Sequence, residues 1–513
     1  MLTIASLEPL MAEALPVPPL ALTGRVPPAN SIVALDTSAA PEELTLWPAF
    51  HNGVAAALRV GPLGTSAALG AAKGGLGARS KVTRNWIMYN RTASQAKAGG
   101  DSTHAGNALT GFFFYCYQLY SICFLSNFVG FLLGLGLLGH LTTLTVSDTY
   151  DYLVQGHEPT TIAVLIGSAA SKLGTADPRL SKTISLHMPA LLPSQHGDMD
   201  ISPAVQTAAF TSLGLLHCGS GHRLMTEFLL TEMSRSPSSD RCDSREAMVT
   251  AAAWALGMVL LGKGSKDNHR QSICAATNTT KSNQVPVTPG GPVSSAPRTA
   301  AGAGLSKEED VLRGLADLRV EDRLLQLIDG GKRPGESLLF PLHSSVDISS
   351  RSSRMLESAE VNTNLTAPGA TIALALIFIR SNNTDILQRI ALPTTIVALD
   401  AIRPDLLIYR AMATCLIGWD QVTPTAEWIK SNIPLPILKA VFPTETLRGA
   451  SPTAPVDLNL LYQTSKKLDG RTALTLYLSA VTGFCYGIGI VFAGTADVSA
   501  KETLLGHLKL LQR

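Results

Sequence analysis

Three groups of residues in this chain are of types that do chemistry. Gly134, Gly136 and Gly139 form a literal GxGxxG, in which missing side chains let a backbone close on a pyrophosphate, and Glu158 lies about 20 residues on, where dinucleotide sites place a carboxylate. His217, Cys218, His222 and Cys242 are zinc-ligating types. Cys415 carries a nucleophilic atom. Each group lacks the context its chemistry needs. A dinucleotide fingerprint sits between a strand and a helix, and no strand–helix–strand alternation surrounds Gly134. Structural zinc sites use paired ligands at short spacing, and no CxxC occurs. Cys415 lies in an apolar run and reads as core. No register of residues 61–81 supplies the G-x4-G-K-[ST] of a phosphate loop, and no GxSxG elbow is present. The sequence therefore predicts no catalytic, cofactor-binding or metal-ligating residue and no cofactor.

The elements that would position those residues explain the glycines better. Gly134-x4-Gly139 returns as Gly214-x4-Gly219, Gly257-x4-Gly262 and Gly489-x4-Gly494, each in small and aliphatic residues. A further copy, LIGSAASKLG, keeps the closing Gly174 and has Ala169 in the first glycine's place. Gly139, Gly174, Gly219 and Gly262 recur at the period of a helical repeat array. Five residues along a helix turn through about 500°, so the two glycines of a pair do not share a face. The first is expected inside a helix, admitting a close neighbour at about 1 kcal/mol of lost helix propensity. The second is expected to end the helix in the left-handed conformation.

Composition agrees with buried helices. Hydrophobic residues make up 46% of the 513 and charged residues 16%, with a formal net charge of +2 that implies no polyanionic partner. Seven scattered cysteines suggest reduced thiols, and the N-terminus lacks the basic start and apolar core of a signal peptide. Residues 1–42, rich in Pro, Ala and Ser, are expected to be a disordered N-terminal segment. Residues 43–262 carry the first part of the array and 309–498 the second, with 499–513 a C-terminal segment. Residues 263–308 are a low-complexity insertion whose apolar content is too small to offset its ordering entropy. Residues 102–147 hold no Asp, Glu, Lys or Arg and are long enough to cross a bilayer, but lack basic flanks and interfacial aromatic belts. Within them, residues 107–129 are an aromatic-rich anomaly.

The segments WPAFHNGVAAALRV, GHEPTTIAVLIGSAASKLGTAD, MPALLP, PGATIALALIFIRSNN and RPDLLIYRAMATCLIGWD resemble, together and in one order, the subunit 1 family of the anaphase-promoting complex (cyclosome). DLRVEDRLLQLIDGGKR is similar to the family segment after the fourth repeat, and the match spans most of residues 43–498. The same repeats occur in two large non-ATPase subunits of the proteasome regulatory particle, which supply the alternative reading. PDLLIYRAMATCLIGWD and TPTAEWIKSNIP favour the cyclosome.

The resemblance implies an all-α fold, an α–α helical-repeat solenoid closed into a toroid. It implies a non-catalytic scaffold of a multisubunit RING-type E3 ubiquitin ligase that controls mitotic progression. Its partners would be the other subunits and coactivators of that complex, with no nucleic acid, small-molecule substrate or membrane, and its location nucleus and cytoplasm. Family members also carry a long N-terminal region with a β-propeller and a C-terminal tail, so the chain reads as part of a longer subunit. They run from a His-Ala-Gly step straight into the GFLLGLG-like helix. Here THAG, residues 103–106, is followed by residues 107–129, which therefore read as an untranslated-sequence artefact or an insertion.

Overall fold

The computed structural model describes residues 23–26, 31–34, 42–63, 82, 84, 86–88, 126–154, 156–192, 201–235, 244–264, 315–330, 361–442 and 468–511. These divide into two compact units, Met1–Cys218 and Gly219–Arg513. Cys242, residues 107–125 and residues 265–308 lie outside the described residues.

In the first unit, β1 (Thr23–Val26) pairs antiparallel with β2 (Ser31–Ala34), Gly24 opposite Val33. These eight residues of the segment expected to be disordered form a hairpin, and the rest of residues 1–41 lie outside the described residues. Thr23, Val26, Ile32 and Val33 are β-branched, and Pro27 has no N–H to continue a ladder. The remaining named elements are helices: α1 (Glu42–Ala57), α2 (Ser126–Leu137), α3 (Val146–Leu153), α4 (Glu158–Ser171), α5 (Pro178–Ser185) and α6 (Pro203–Leu216). The second unit holds α7 (Arg223–Ser234), α8 (Arg245–Val259), α9 (Val320–Asp329), α10 (Thr363–Ile377), α11 (Thr384–Ile390), α12 (Ile396–Ala401) and α13 (Leu406–Ile417). It ends in α14 (Ala426–Ser431), α15 (Leu435–Val441), α16 (Gly470–Val491) and α17 (Val498–Leu511).

Two kinds of helix alternate. Core helices are apolar nearly all round: α4 buries ten of its residues, Pro159 to Ala169, and α10 buries eleven. They pack on one another, α4 on α6, α8 on α10, α10 on α13 and α13 on α16. Cover helices bury one stripe, as α5 does with Leu180 and Ile184, and α7 with Leu229, Leu230 and Met233. Caps fix where they start. Thr145 and Asp148 form a reciprocal capping box on α3; Asp177 and Ser202 cap α5 and α6, each followed by proline at the first helical position. Pro368 inside α10 cannot donate to the carbonyl of Asn364, and the Arg403 guanidinium supplies that bond at 3.2 Å.

Glycines set the helix crossings. A Cβ on Gly136 of α2 would lie 2.3 Å from Cα of Gly167 on α4, and one on Gly483 of α16 would lie 2.4 Å from the Ile408 carbonyl oxygen of α13. Gly487 would meet Cys415 at 2.4 Å and Gly257 would meet Cα of Ala373 at 3.2 Å. The repeat register differs from the sequence expectation at two places. Gly167, not Ala169, stands at the α2–α4 crossing; a Cβ on Gly489 meets nothing within 4 Å, and Gly487 and Gly483 make the close approach instead. The closing glycines behave as expected: Gly139, Gly174, Gly219, Gly262 and Gly494 all have φ between 67° and 86°.

The first unit also redraws one edge of the anomalous segment. Ser126, Phe128 and Val129 are buried in the first turn of α2, and Phe128 packs with Phe50, Trp86, Phe131 and Tyr152. Residues 126–129 are thus an integral part of α2. At twelve residues, α2 is about 18 Å long and too short to cross a bilayer. Among the described residues, α16 alone is long and apolar enough to span, and half of its most apolar window is buried inside the protein.

Thermal melting of glycine variants tests this packing. Gly257→Leu should lower stability by about 1–3 kcal/mol through overpacking, and Gly262→Val by about 1–2 kcal/mol through left-handed strain. Gly506→Ala, in α17 with open space around it, should raise stability by about 0.5–1 kcal/mol. Equal effects at all three positions would show that the crossings do not depend on glycine.

Arg84 binds Asp148 with two bonds, 2.6 and 2.8 Å, and holds its carboxyl well below the usual carboxylate range. The folded form binds that proton more weakly than the unfolded chain. The resulting stability is therefore complete above about pH 5 and lost as pH falls through about 4 and below. Acid melting of Asp148→Asn should show a shallower loss over that range than the parent chain.

Candidate functional site

The residues singled out for chemistry are used for packing. Gly134 faces Ala57 and Val54 of α1, Gly136 faces Gly167, and Gly139 ends the helix; all three lie in or just after α2. Glu158 opens α4 in its first turn. His217 lies buried at the end of α6, its Nε2 3.3 Å from Oγ of Ser181. His222 caps α7, its Nδ1 3.4 Å from the N–H of Met225. Burial raises the Cys218 thiol above its ordinary range. Among the described residues, no three His, Cys, Asp or Glu side chains gather as a metal site would require.

Cys415 is fully buried on α13 against Gly487. Burial, with Cys485 nearby as a smaller cause, pushes its thiol up to about 12, and burial pushes Cys485 up to about 11. A thiol so raised holds almost no thiolate at neutral pH and cannot attack.

What does recur in fixed geometry is the turn that closes four of the core helices, α4, α6, α8 and α10. The N–H of Gly174 donates to Leu215 O at 3.0 Å, and that of Ala176 to Leu216 O at 2.9 Å. Gly219 and Gly221 bond Met258 and Val259 at 2.8 and 2.9 Å. Gly262 and Gly264 bond Leu376 and Ile377 at 3.1 and 2.8 Å. Arg380 and Asn382 bond Leu416 and Ile417, both at 2.9 Å. In each case the acceptors are the last two residues of the next core helix. Those carbonyls have no partner within their own helix. The turn satisfies them, and so, within each unit, fixes the axial register of one core helix on the next.

Seven of the eight donor residues have positive φ, Gly264 being the exception. Glycine supplies it at Gly174, Gly219, Gly221 and Gly262. Arg380 and Asn382 reach φ of 56° and 53° without glycine, at a cost on the order of 1–2 kcal/mol each. Side chains offset that cost. The Arg380 guanidinium lies 5.1 Å from the ring centre of Trp419, and Asn382 Nδ2 donates to Asp420 Oδ2 at 2.7 Å. Sequence reasoning missed these four residues, because a search for glycine pairs passes over a turn built without glycine.

Counting back from each closing residue gives the helix register. Gly257, five before Gly262, meets Ala373, seven before Arg380. Cys415, five before Asp420, meets Gly487, seven before Gly494. At these two crossings a small residue at the fifth position meets a small residue at the seventh position of the next helix, whereas at the α2–α4 crossing Gly136, three before Gly139, meets Gly167, seven before Gly174.

Thiol alkylation checks the burial on which the chemical reading depends. At pH 8 Cys415 and Cys485 should stay unmodified in the folded chain and react fully in denaturant. Native-state modification of Cys415 at the rate of a free thiol would restore it as a candidate nucleophile.

Two family models match the chain: that described as APC1 fifth domain over residues 178–513, and that described as APC1 fourth domain over residues 1–173. The chain is similar to human anaphase-promoting complex subunit 1, 32% identical over 508 residues that make up 98% of this chain and 21% of the human protein. It is similar to the Arabidopsis thaliana protein of the same name, 30% identical over 96% of this chain and 23% of that one. A protein of Emericella nidulans named negative regulator of mitosis is 27% identical over 99% of this chain and 18% of its own length. The chain thus spans about a fifth of the length of these relatives.

Proposed function

The chain belongs to the anaphase-promoting complex subunit 1 family, and from that membership we propose that it is a non-catalytic scaffold segment of the cyclosome, the multisubunit E3 ubiquitin ligase that controls mitotic progression. The observation that carries the reading is the repeated turn. Paired backbone bonds of 2.8–3.1 Å lock successive core helices together without any reactive side chain. Such coupling transmits position rather than chemistry. A stack of this kind offers loops and cover helices as docking surfaces for large partners. We propose as those partners the other cyclosome subunits and its coactivators, in nucleus and cytoplasm, with no cofactor. The proteasome regulatory-particle alternative is not favoured, since both family models and the named relatives point to subunit 1.

The finer architecture is part of the same proposal: the core helices continue around as an α–α solenoid that closes into a toroid. Support comes from the close small-residue crossings and from the bond pair shared by four of the turns.

Affinity purification of the tagged chain should recover cyclosome subunits in stable association. Its loss should abolish ligase activity through disassembly. Cys218→Ser and His222→Ala should leave activity intact wherever the complex stays assembled. Ubiquitin transfer by the purified chain alone, or loss of activity in an assembled Cys218→Ser complex, would overturn the scaffold reading.

A further inference from the structure

One side chain in the second unit reaches across two repeats. α8 packs on α10, and α10 packs on α13. In a helical-repeat stack each repeat ordinarily touches only its neighbours. Arg403, in the turn that leads into α13, goes further. Its Nη2 lies 3.3 Å from Oε1 of Glu246, in the first turn of α8. Its Nη1 donates to the carbonyl oxygen of Asn364, in the first turn of α10, at 3.2 Å. Its Nε and Nη2 donate to Oδ1 and Oδ2 of Asp405, at the start of α13, at 2.8 and 2.6 Å. One guanidinium thus joins the N-terminal ends of three successive core helices.

The geometry is that of a built link. The two-point grip on Asp405 fixes the guanidinium plane, so the bonds to α8 and α10 form at little further loss of side-chain freedom. The Asn364 carbonyl is available because Pro368 has no N–H to offer it. The side chains of Arg403, Glu246 and Asp405 are 36%, 53% and 43% exposed. Ion pairs so exposed add little to folding stability. What they set is an angle. At their C-terminal ends the same helices are already tied by backbone bonds, Gly262 to Leu376 and Arg380 to Leu416. Bonds between neighbours fix each spacing and leave the bend about α10 open. A contact from the first helix to the third closes it.

We infer that Arg403 is a latch that sets the curvature of this stretch, holding the N-terminal ends of α8, α10 and α13 together while the backbone-bonded turns at their C-terminal ends act as the hinge. Opening the latch splays the three helices at one end and leaves each helix intact. Curvature in turn decides how the loops and cover helices of these repeats are spaced for a partner. The device rests neither on the ring nor on the scaffold reading, since all of its parts lie within the second unit.

Spin-label distance measurements on the full chain test this, with the accessible native cysteines replaced by serine. One label pair, Ala247→Cys with Ala401→Cys, sits at exposed residues on the N-terminal side. The other, Lys263→Cys with Gln421→Cys, sits on the C-terminal side. Arg403→Met should lengthen and broaden the distance distribution of the first pair and leave that of the second unchanged. Glu246→Ala removes only the reach to α8, from an exposed site that leaves the turn at Asp405 intact, and should shift the first pair in the same direction. It decides the matter if Arg403→Met fails to fold. Circular dichroism should show the helical content of the Glu246→Ala chain unchanged. A first-pair distance that stays the same in the folded Glu246→Ala chain would overturn the inference. So would equal lengthening of both pairs, which reports general loosening without a hinge.

Discussion

The constraint on which the rest depends is the fate of the last carbonyls of each core helix. A helix that ends inside a protein leaves its final C=O groups without intrahelical partners, and leaving them bare costs on the order of 1–3 kcal/mol each. Cover helices such as α5 end at exposed residues, here Leu186, and close their last carbonyls with their own following turn. Core helices end at buried residues. Their neighbours solve the problem by curling the preceding turn left-handed, so that two N–H groups point at the last two carbonyls of the helix. Every other feature of the repeat follows from that bond pair. The helices must lie close enough for the turn to reach, so glycine, alanine or cysteine stands at each crossing. With close contact on two sides, the helices must be apolar all round, as α4 and α10 are.

The same constraint explains what was and was not legible in the sequence. The closing glycines were readable because positive φ is a demand of the backbone alone, and glycine meets it cheaply. The crossing residues were harder. A crossing needs smallness and not glycine, so Ala373 and Cys415 serve as well as Gly257 and Gly487. A search for glycine pairs therefore put weight on Ala169 and Gly489 and passed over Gly167 and Gly487. The strands β1 and β2 were missed because two four-residue strands in a Pro-, Ala- and Ser-rich stretch leave too little alternation to read. The first turn of α2 was hidden in an aromatic run where Phe128 looked like its neighbours, although it is 2% exposed and belongs to the same buried cluster as Phe50 and Phe131.

The turn at Arg380 shows that the motif is geometric. Here two residues carry left-handed strain that glycine would avoid. They recover part of it by gripping the following turn through Trp419 and Asp420. The backbone bonds to Leu416 and Ile417 keep the 2.9 Å length found at the glycine turns. A side-chain grip adds what glycine cannot, a second layer of contact between α10 and α13 outside the helix ends. The repeat thus tolerates change in residue type while holding its spacing, as expected of a part whose output is position.

The apparent catalytic inventory is a by-product of that economy. Small polarizable cysteine fits a crossing, and there burial drives its thiol up to about 12 and removes its reactivity. Histidine at a helix end can serve the backbone, as His222 does for Met225. Three glycines in a GxGxxG spacing arise on α2 because it needs a small residue toward α1, another toward α4 and a left-handed stop. Three packing demands on one helix reproduce by coincidence a pattern that elsewhere binds a dinucleotide. The distinction lies in which way the backbone N–H groups point. In a phosphate site they converge on a cavity; here they are consumed in the helix and in the turn that joins one repeat to the next.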